Sequence, residues 1–301
     1  MPYGDVNGTT LYYESVGQGI PIVCIHPILL TGEIFSYQRA SLSDRYQIIT
    51  FDIRGHGKSR FSKQPLTYSM IAEDIRQLLD TLGIAQAYLC GYSVGGQIAL
   101  EALLTDPDRY LGAILIGGTS ELTDPIQRSL VWIAHLLCGL KGKRLLSAID
   151  AGGNADNLRI FKTLYESCNL GNVLNLAQYN EQVLGFNCTN RLHEIQAPVL
   201  LLYGQRDTRF HRYARVLQTK LPNSTLHFIN GAPHQIPTKH AADVDGLLRL
   251  WIGGQTTKLS KQQNENNHRD REVGEQQSFK EQHTHLEQRD HFEQQSFDEH
   301  Q

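Results

Sequence analysis

The sequence has few cysteines and no long hydrophobic run. Its five cysteines are scattered over 301 residues without a C-x-x-C pair, a distribution typical of buried free thiols rather than of a disulfide framework. The longest apolar run, from Leu130 to Leu140, is interrupted by His135 and is about half the ~20 residues that span a bilayer. Residues 1–5 read as turn chemistry rather than as a signal peptide. These features predict a cytoplasmic protein without membrane association.

The chain also lacks a strong excess of charge of either sign. Its formal net charge is −3, with 40% hydrophobic and 20% charged residues, which is an ordinary globular composition. A near-neutral surface removes the usual electrostatic case for binding nucleic acid or anionic lipid. We therefore expect a small-molecule partner, while the composition leaves the oligomeric state open.

The composition changes abruptly after residue 254. Residues 255–301 are rich in Gln, Glu and His, with six Lys or Arg against ten Asp or Glu, and the segment Glu275–Glu281 recurs almost unchanged as Glu293–Glu299. Such a segment has too little apolar surface to offset the entropy lost on folding. The sequence predicts a disordered, low-complexity tail over 255–301.

Within residues 1–254, short apolar runs alternate with segments of helical periodicity. Buried strands are predicted at Pro21–His26, Gln47–Asp52, Ala87–Tyr92, Ala113–Ile116, Val199–Tyr203 and Thr225–Ile229. Asn7-Gly8 suits the tight turn of an opening hairpin. Apolar strands joined by crossover helices indicate a mainly parallel sheet with helices on both faces.

One stretch interrupts this alternation. Between Thr119 and Pro198 no convincing strand occurs, and helical periodicity marks segments near 126–140, 158–165 and 173–184 instead. We predict a core formed by 1–120 and 197–254, with a helical cap over 121–196. Such a cap would cover the carboxyl edge of the sheet, where open α/β sheets bind their ligands.

The chemistry centres on Gly91-Tyr-Ser93-Val-Gly95, a G-x-S-x-G sequence. The serine follows a buried strand and opens a helix, which lifts its hydroxyl above the sheet and aims the helix N-terminus at a developing anion. A serine becomes a nucleophile when a base accepts its proton. His234 directly follows the last predicted strand in a turn with two prolines and a glycine, and is the predicted base.

The imidazole needs a carboxylate that fixes its tautomer. Asp207 lies in the loop after the penultimate strand, at the same edge of the sheet, and is the predicted acid. The rival acids are Glu121 and Asp124, which follow the preceding strand. Asp207 could instead be a helix cap or a partner of a surface arginine.

Four motifs together resemble the capped branch of the α/β-hydrolase superfamily: His26-Pro27, the segment Asp52–Ser59, the serine turn, and the Asp207/His234 pair. The resemblance covers residues 1–254 and implies an eight-stranded sheet and the order Ser93, Asp207, His234. It also implies an oxyanion hole formed by the amides of Ile28 and Val94. Pro27 stands where the family more often has glycine. By the same resemblance, Asp52, Arg54 and His56 brace the floor of the site.

The resemblance implies a hydrolase that forms an acyl-enzyme on an ester, thioester or lactone and calls for no metal or organic cofactor. Ser93 excludes the dehalogenases and epoxide hydrolases of this fold, which carry aspartate at that position. Two alternatives stay open: proton abstraction and elimination, as in the menaquinone-pathway synthase, and a slowly turning-over sensor that binds a protein partner. The apolar residues of the cap predict a mainly apolar pocket that fits a small, largely uncharged acyl group, and they are Trp132, Leu136, Leu137, Phe161 and Tyr165.

Overall fold

A computed structural model describes residues 2–139 and 142–257. Residues 1–248 form one compact unit, and a second unit begins at residue 249. The described part of the second unit, 249–257, is helical. The predicted disordered tail over 255–301 lies outside the described residues from 258 onward.

Eight strands form a single sheet in the first unit. They are β1 (Tyr3–Val6), β2 (Thr9–Val16), β3 (Ile20–Ile25), β4 (Tyr46–Phe51), β5 (Ala87–Tyr92), β6 (Tyr110–Ile116), β7 (Val199–Gly204) and β8 (Ser224–Ile229). The strand order is β1-β2-β4-β3-β5-β6-β7-β8, antiparallel from β1 to β4 and parallel from there on. The predicted mainly parallel, eight-stranded sheet is confirmed.

The α-helices that connect or cover these strands include nine with defined bounds. They are α1 (Ser36–Leu42), α2 (Tyr68–Thr81), α3 (Gly95–Thr105), α4 (Pro125–Gly139), α5 (Lys143–Asn154), α6 (Leu158–Cys168), α7 (Val173–Gly185), α8 (His211–Lys220) and α9 (Ile236–Lys239). A further helix runs over 241–257. None of the described helices is both long and apolar enough to cross a membrane.

Local sequence explains why these elements start and stop where they do. Asn7 and Gly8 both have positive φ, 44° and 74°, as the predicted hairpin turn requires. The central strands β5 and β7 are buried at every position, because helices cover both faces of a parallel sheet. The Thr67 side chain accepts a hydrogen bond from the Met70 amide and so caps α2.

Four helices, α4 to α7, lie between β6 and β7 in the chain. Three of them coincide with the helical segments predicted from periodicity. The fourth, α5, was not predicted, since two glycines (Gly152 and Gly153) near its end obscure the pattern. The division into sheet core and cap at 121–196 stays a prediction.

Candidate active site

Ser93 lies at the sharp turn between β5 and α3. Its φ is +52°, a left-handed conformation that costs a non-glycine residue conformational energy. A Cβ on Gly91 would lie 2.6 Å from the carbonyl oxygen of Gly95, and one on Gly95 would collide with the carbonyl oxygen of Ile25. The two glycines of the motif therefore let strand and helix approach closely enough to hold the serine in this turn.

The structure brings Ser93, His234 and Asp207 together from three separate loops. His234 Nε2 is 3.0 Å from Ser93 Oγ, and His234 Nδ1 is 2.6 Å from Asp207 Oδ2. In this network the imidazole donates a hydrogen bond through Nδ1–H to the carboxylate of Asp207. Its Nε2 accepts a hydrogen bond from the Ser93 hydroxyl. This is the arrangement in which a hydroxyl can pass its proton to a base.

The rival acids have other partners. Glu121 accepts a hydrogen bond of 2.7 Å from the Asn187 side chain. Asp124 accepts from the amides of Ile126 and Gln127 at the start of α4, which makes it a helix cap. Of the three acids weighed from the sequence, Asp207 is therefore the one that contacts the imidazole of His234.

Two aromatic rings hold His234 in place. The Phe210 ring centroid is 4.2 Å from the imidazole centroid, and the Tyr92 centroid is 5.6 Å from it. Tyr92 immediately precedes Ser93, while Phe210 immediately precedes α8. These contacts were not predicted, because nothing in the spacing of either residue marks it as a neighbour of the histidine.

The loop after β3 carries the predicted oxyanion donor Ile28. Its neighbour Leu29 has φ +66°, so the backbone turns sharply here. The amides of Ile28 and Val94 donate no hydrogen bond to any of the described residues. Val94 directly precedes the first turn of α3, where amides point away from the helix towards an incoming anion.

A buried histidine fixes this loop to its neighbour. His26 accepts a hydrogen bond at Nε2 from the Ile53 amide (2.9 Å), and its Nδ1–H donates to the Pro27 carbonyl (2.8 Å). Burial, with the nearby His56, holds the pKa of His26 well below its usual range, so the ring stays neutral. His26 belongs to the His26-Pro27 motif, but its hydrogen bonds to the neighbouring loop were not predicted from the sequence.

The segment after β4 forms a hydrogen-bonded support. The carboxylate of Asp52 accepts from the amides of Gly32 (3.0 Å) and Lys58 (2.8 Å), and Arg54 is ion-paired with the buried Asp74. Burial raises the pKa of Asp52 to about 6 and lowers that of His56 to about 4. None of these contacts reaches Ser93, which agrees with the bracing role that the resemblance implies.

The predicted pocket residues separate into two groups. Leu137 packs beside a buried cluster formed by Leu29, Cys138, Leu146 and Leu176. Trp132 and Leu136 are 55% and 42% exposed, because α4 turns its Cys138 side inward and these two residues outward. The place of both residues in a substrate pocket stays a prediction.

Phe161 and Tyr165 stack on each other along α6. Their ring centroids are 5.9 Å apart, with an angle of 10° between the planes. Both side chains are partly exposed. Their place in a substrate pocket stays a prediction.

Comparisons with known proteins support the fold described above. A family model described as the alpha/beta hydrolase fold matches residues 20–136. The esterase of Exiguobacterium antarcticum superposes with a TM-score of 0.76 at 20% identity, covering 83% of this chain and 98% of the esterase. Over the matched residues, the chain is similar to the α/β-hydrolase superfamily. The matched residues include Ser93 but neither Asp207 nor His234.

Two further proteins are similar to the chain over most of its length. The enol-lactonase of Burkholderia xenovorans LB400 has a TM-score of 0.75 at 21% identity, covering 84% of this chain and all of the lactonase. The uncharacterized hydrolase YugF of Bacillus subtilis is 27% identical over 262 residues, which span 79% of this chain and 95% of YugF. These likenesses support a hydrolase of this fold.

Proposed function

We propose that the protein is a serine hydrolase that cleaves a small carboxylic ester, thioester or lactone through an acyl-enzyme. The observation that carries this proposal is the bridge formed by His234, with Ser93 Oγ 3.0 Å from one ring nitrogen and Asp207 2.6 Å from the other. The esterase and enol-lactonase likenesses support the ester-type bond.

In the proposed first step, Ser93 Oγ attacks the substrate carbonyl while its proton moves to His234 Nε2. The amides of Ile28 and Val94 stabilise the oxyanion, each donor being worth about 3 kcal/mol. The carbon–oxygen or carbon–sulfur bond to the leaving group then breaks, and His234 gives its proton to the departing alcohol or thiol. Asp207 stabilises the imidazolium throughout this step.

The second step reverses these roles with water as the nucleophile. Water loses a proton to His234 and attacks the acyl carbon of the intermediate. When the tetrahedral intermediate collapses, the bond to Ser93 breaks and the proton returns to Oγ. The products are the carboxylic acid and the free enzyme, and no redox equivalent is consumed.

Ester hydrolysis is favoured over elimination on a polyanionic substrate, which would need several arginines facing the site. Arg128 donates to the carbonyls of Leu122 and Leu184, and Arg191 is paired with Glu194. Arg144 and Arg159 have exposed side chains. These four arginines of residues 121–196 are thus bound elsewhere or face solvent.

Labelling with a fluorophosphonate tests the nucleophile. The wild-type protein should be labelled stoichiometrically, and Ser93→Ala should not be labelled. Steady-state turnover of p-nitrophenyl acetate and butyrate separates an enzyme from a sensor. Full labelling of Ser93→Ala would overturn the assignment of the nucleophile, and a burst of p-nitrophenol without turnover would favour the sensor.

A further inference from the structure

A carboxylate on α5 has no partner among the residues that the structure describes. Asp150 is only partly accessible to solvent, and none of the described residues donates a hydrogen bond or forms an ion pair with its side chain. Burial raises its pKa to about 7. A carboxylate enclosed by protein without a donor is costly, so this position calls for an explanation.

One hydrogen bond places the helix face that carries Asp150 beside the proposed active site. One helical turn further along α5, the Asn154 side chain accepts a hydrogen bond of 2.9 Å from the Tyr92 hydroxyl. Residues four apart lie on the same helix face. Burial and then the charges of Asp150 and Asp207 raise the pKa of Tyr92, so the tyrosine is within electrostatic range of both carboxylates. Tyr92 is bonded directly to Ser93 in the chain.

Helices α4 and α6 also carry residues that the charge of Asp150 affects. Burial followed by the charge of Asp150 raises the pKa of Cys168 on α6, and Asp150 contributes to the raised pKa of Cys138 on α4. The packing of α5 against α6 and α4 agrees with these electrostatic effects. Cys138 also belongs to the cluster that contacts Ile28, the proposed oxyanion donor.

A second polar group on α5 is also unpartnered. Ser147 is fully buried, and its Oγ has no hydrogen-bond partner. It precedes Asp150 by three residues and so lies on the same helix face. Buried polar atoms are nearly always hydrogen-bonded, so two groups without a described partner on one helix face call for a hydrogen-bond donor.

We propose that Asp150, with Ser147 beside it, binds a positively charged amino group of the substrate. This inference rests on the proposed function and specifies its substrate class: an ester-type compound that carries an ammonium group near the reacting carbonyl. The choice of a cation follows from the absence of any lysine or arginine bound to Asp150 among the described residues. An ammonium group supplies both the missing charge and the missing donors.

Inhibition by n-butylammonium tests the proposal, with 1-butanol as the uncharged probe of matched length. Both are titrated against p-nitrophenyl acetate hydrolysis at pH 8. Asp150→Asn, which keeps the side-chain shape, should raise the Ki of butylammonium about 10-fold or more and leave that of butanol unchanged. Asp156→Asn is the matched control, since Asp156 is an exposed cap carboxylate bonded to Tyr37, and it should change neither Ki.

The pH dependence gives a second readout. Tyr92, Cys138 and Cys168 face Asp150, and burial raises the pKa of each, so they stay neutral between pH 6 and 8. Lys143 is held by the carbonyls of Asn169 and Gly171. The ratio of the butylammonium Ki to the butanol Ki should therefore fall as pH rises through about 7, and should be flat in Asp150→Asn.

Calorimetry separates this inference from the proposed function. Butylammonium is titrated into Ser93→Ala and into Ser93→Ala/Asp150→Asn, neither of which needs to turn over. Binding that is lost only in the double variant supports the ammonium site even if no ester is hydrolysed. Equal binding to the two proteins, or equal effects of Asp150→Asn on butanol and butylammonium, would overturn the inference while leaving the hydrolase proposal intact.

Discussion

Gly117, at the end of β6, lies directly against the imidazole of His234. A Cβ at this position would be 2.8 Å from His234 Cε1 and 3.1 Å from Nδ1, and Gly117 has φ +59°. A side chain here would therefore push the ring away from Ser93 or Asp207. Nothing in the sequence pattern marked Gly117, because the contact joins residues that are far apart in the chain.

Gly117→Ala should lower kcat about 10- to 100-fold, because a displacement of the base by a fraction of an ångström to 1 Å is enough to weaken proton transfer. The measurement is p-nitrophenyl ester hydrolysis by a variant whose circular dichroism matches the wild type. Gly185→Ala is the control, since a Cβ there would meet no atom within 4 Å. Wild-type activity in Gly117→Ala would contradict the proposed role of His234 as the base.

Asp207→Asn should reduce kcat about 10³-fold or more, with KM nearly unchanged. The amide cannot stabilise the imidazolium and favours the wrong tautomer of His234. Asp124→Asn, at the rival acid, should leave kcat within about twofold, because Asp124 caps α4 and pairs with Arg209 rather than with His234. Steady-state kinetics of both variants on one ester decide between the two acids, and a larger loss in Asp124→Asn would reverse the assignment.

His26→Leu should destabilise the protein by about 1–3 kcal/mol, since the Ile53 amide would lose its acceptor in a buried place. The free energy of unfolding from urea titration measures this effect. His227→Leu serves as the control because His227 is exposed on β8. Equal free energies of unfolding in both variants would show that the hydrogen bonds of His26 contribute nothing to stability.

The sequence was sufficient for the sheet and for the residues that meet at Ser93. Buried parallel strands are recognisable as short apolar runs, and the loops at their carboxyl ends converge at one edge. Asp207 and His234 both follow such strands, so their convergence with Ser93 could be inferred before any coordinate was known.

The cap was harder to interpret because α4 is apolar nearly all around. Its exposed residues include Ile126, Leu130, Trp132 and Ile133, so hydrophobicity alone does not distinguish its inner from its outer face. The inward side is set by packing against α7, α5 and the loop at Leu29. This is why Trp132 and Leu136 were expected in the pocket and why Asp150, on an unpredicted helix, was missed.

The stability of Asp150→Asn should depend on pH in a definite direction. Because burial raises the pKa of Asp150 from 3.8 to about 7, the folded state binds a proton that the unfolded state releases between these values. The carboxylate therefore costs nothing below about pH 4, and its cost grows until pH passes about 7. Replacing it with the neutral amide should raise Tm at pH 8 and change it little at pH 4.5.

A gain of about 1 kcal/mol corresponds to a rise of roughly 2–4 °C in a domain of this size. Differential scanning calorimetry at pH 4.5 and 8, with Asp156→Asn as the exposed control, measures the difference. If Asp150→Asn is more stable at pH 8 but binds butylammonium less well, then Asp150 contributes to ligand binding and not to the stability of the fold. A lower Tm at pH 8 would mean that the carboxylate has a stabilising partner in the protein, and it would contradict the proposed cation site.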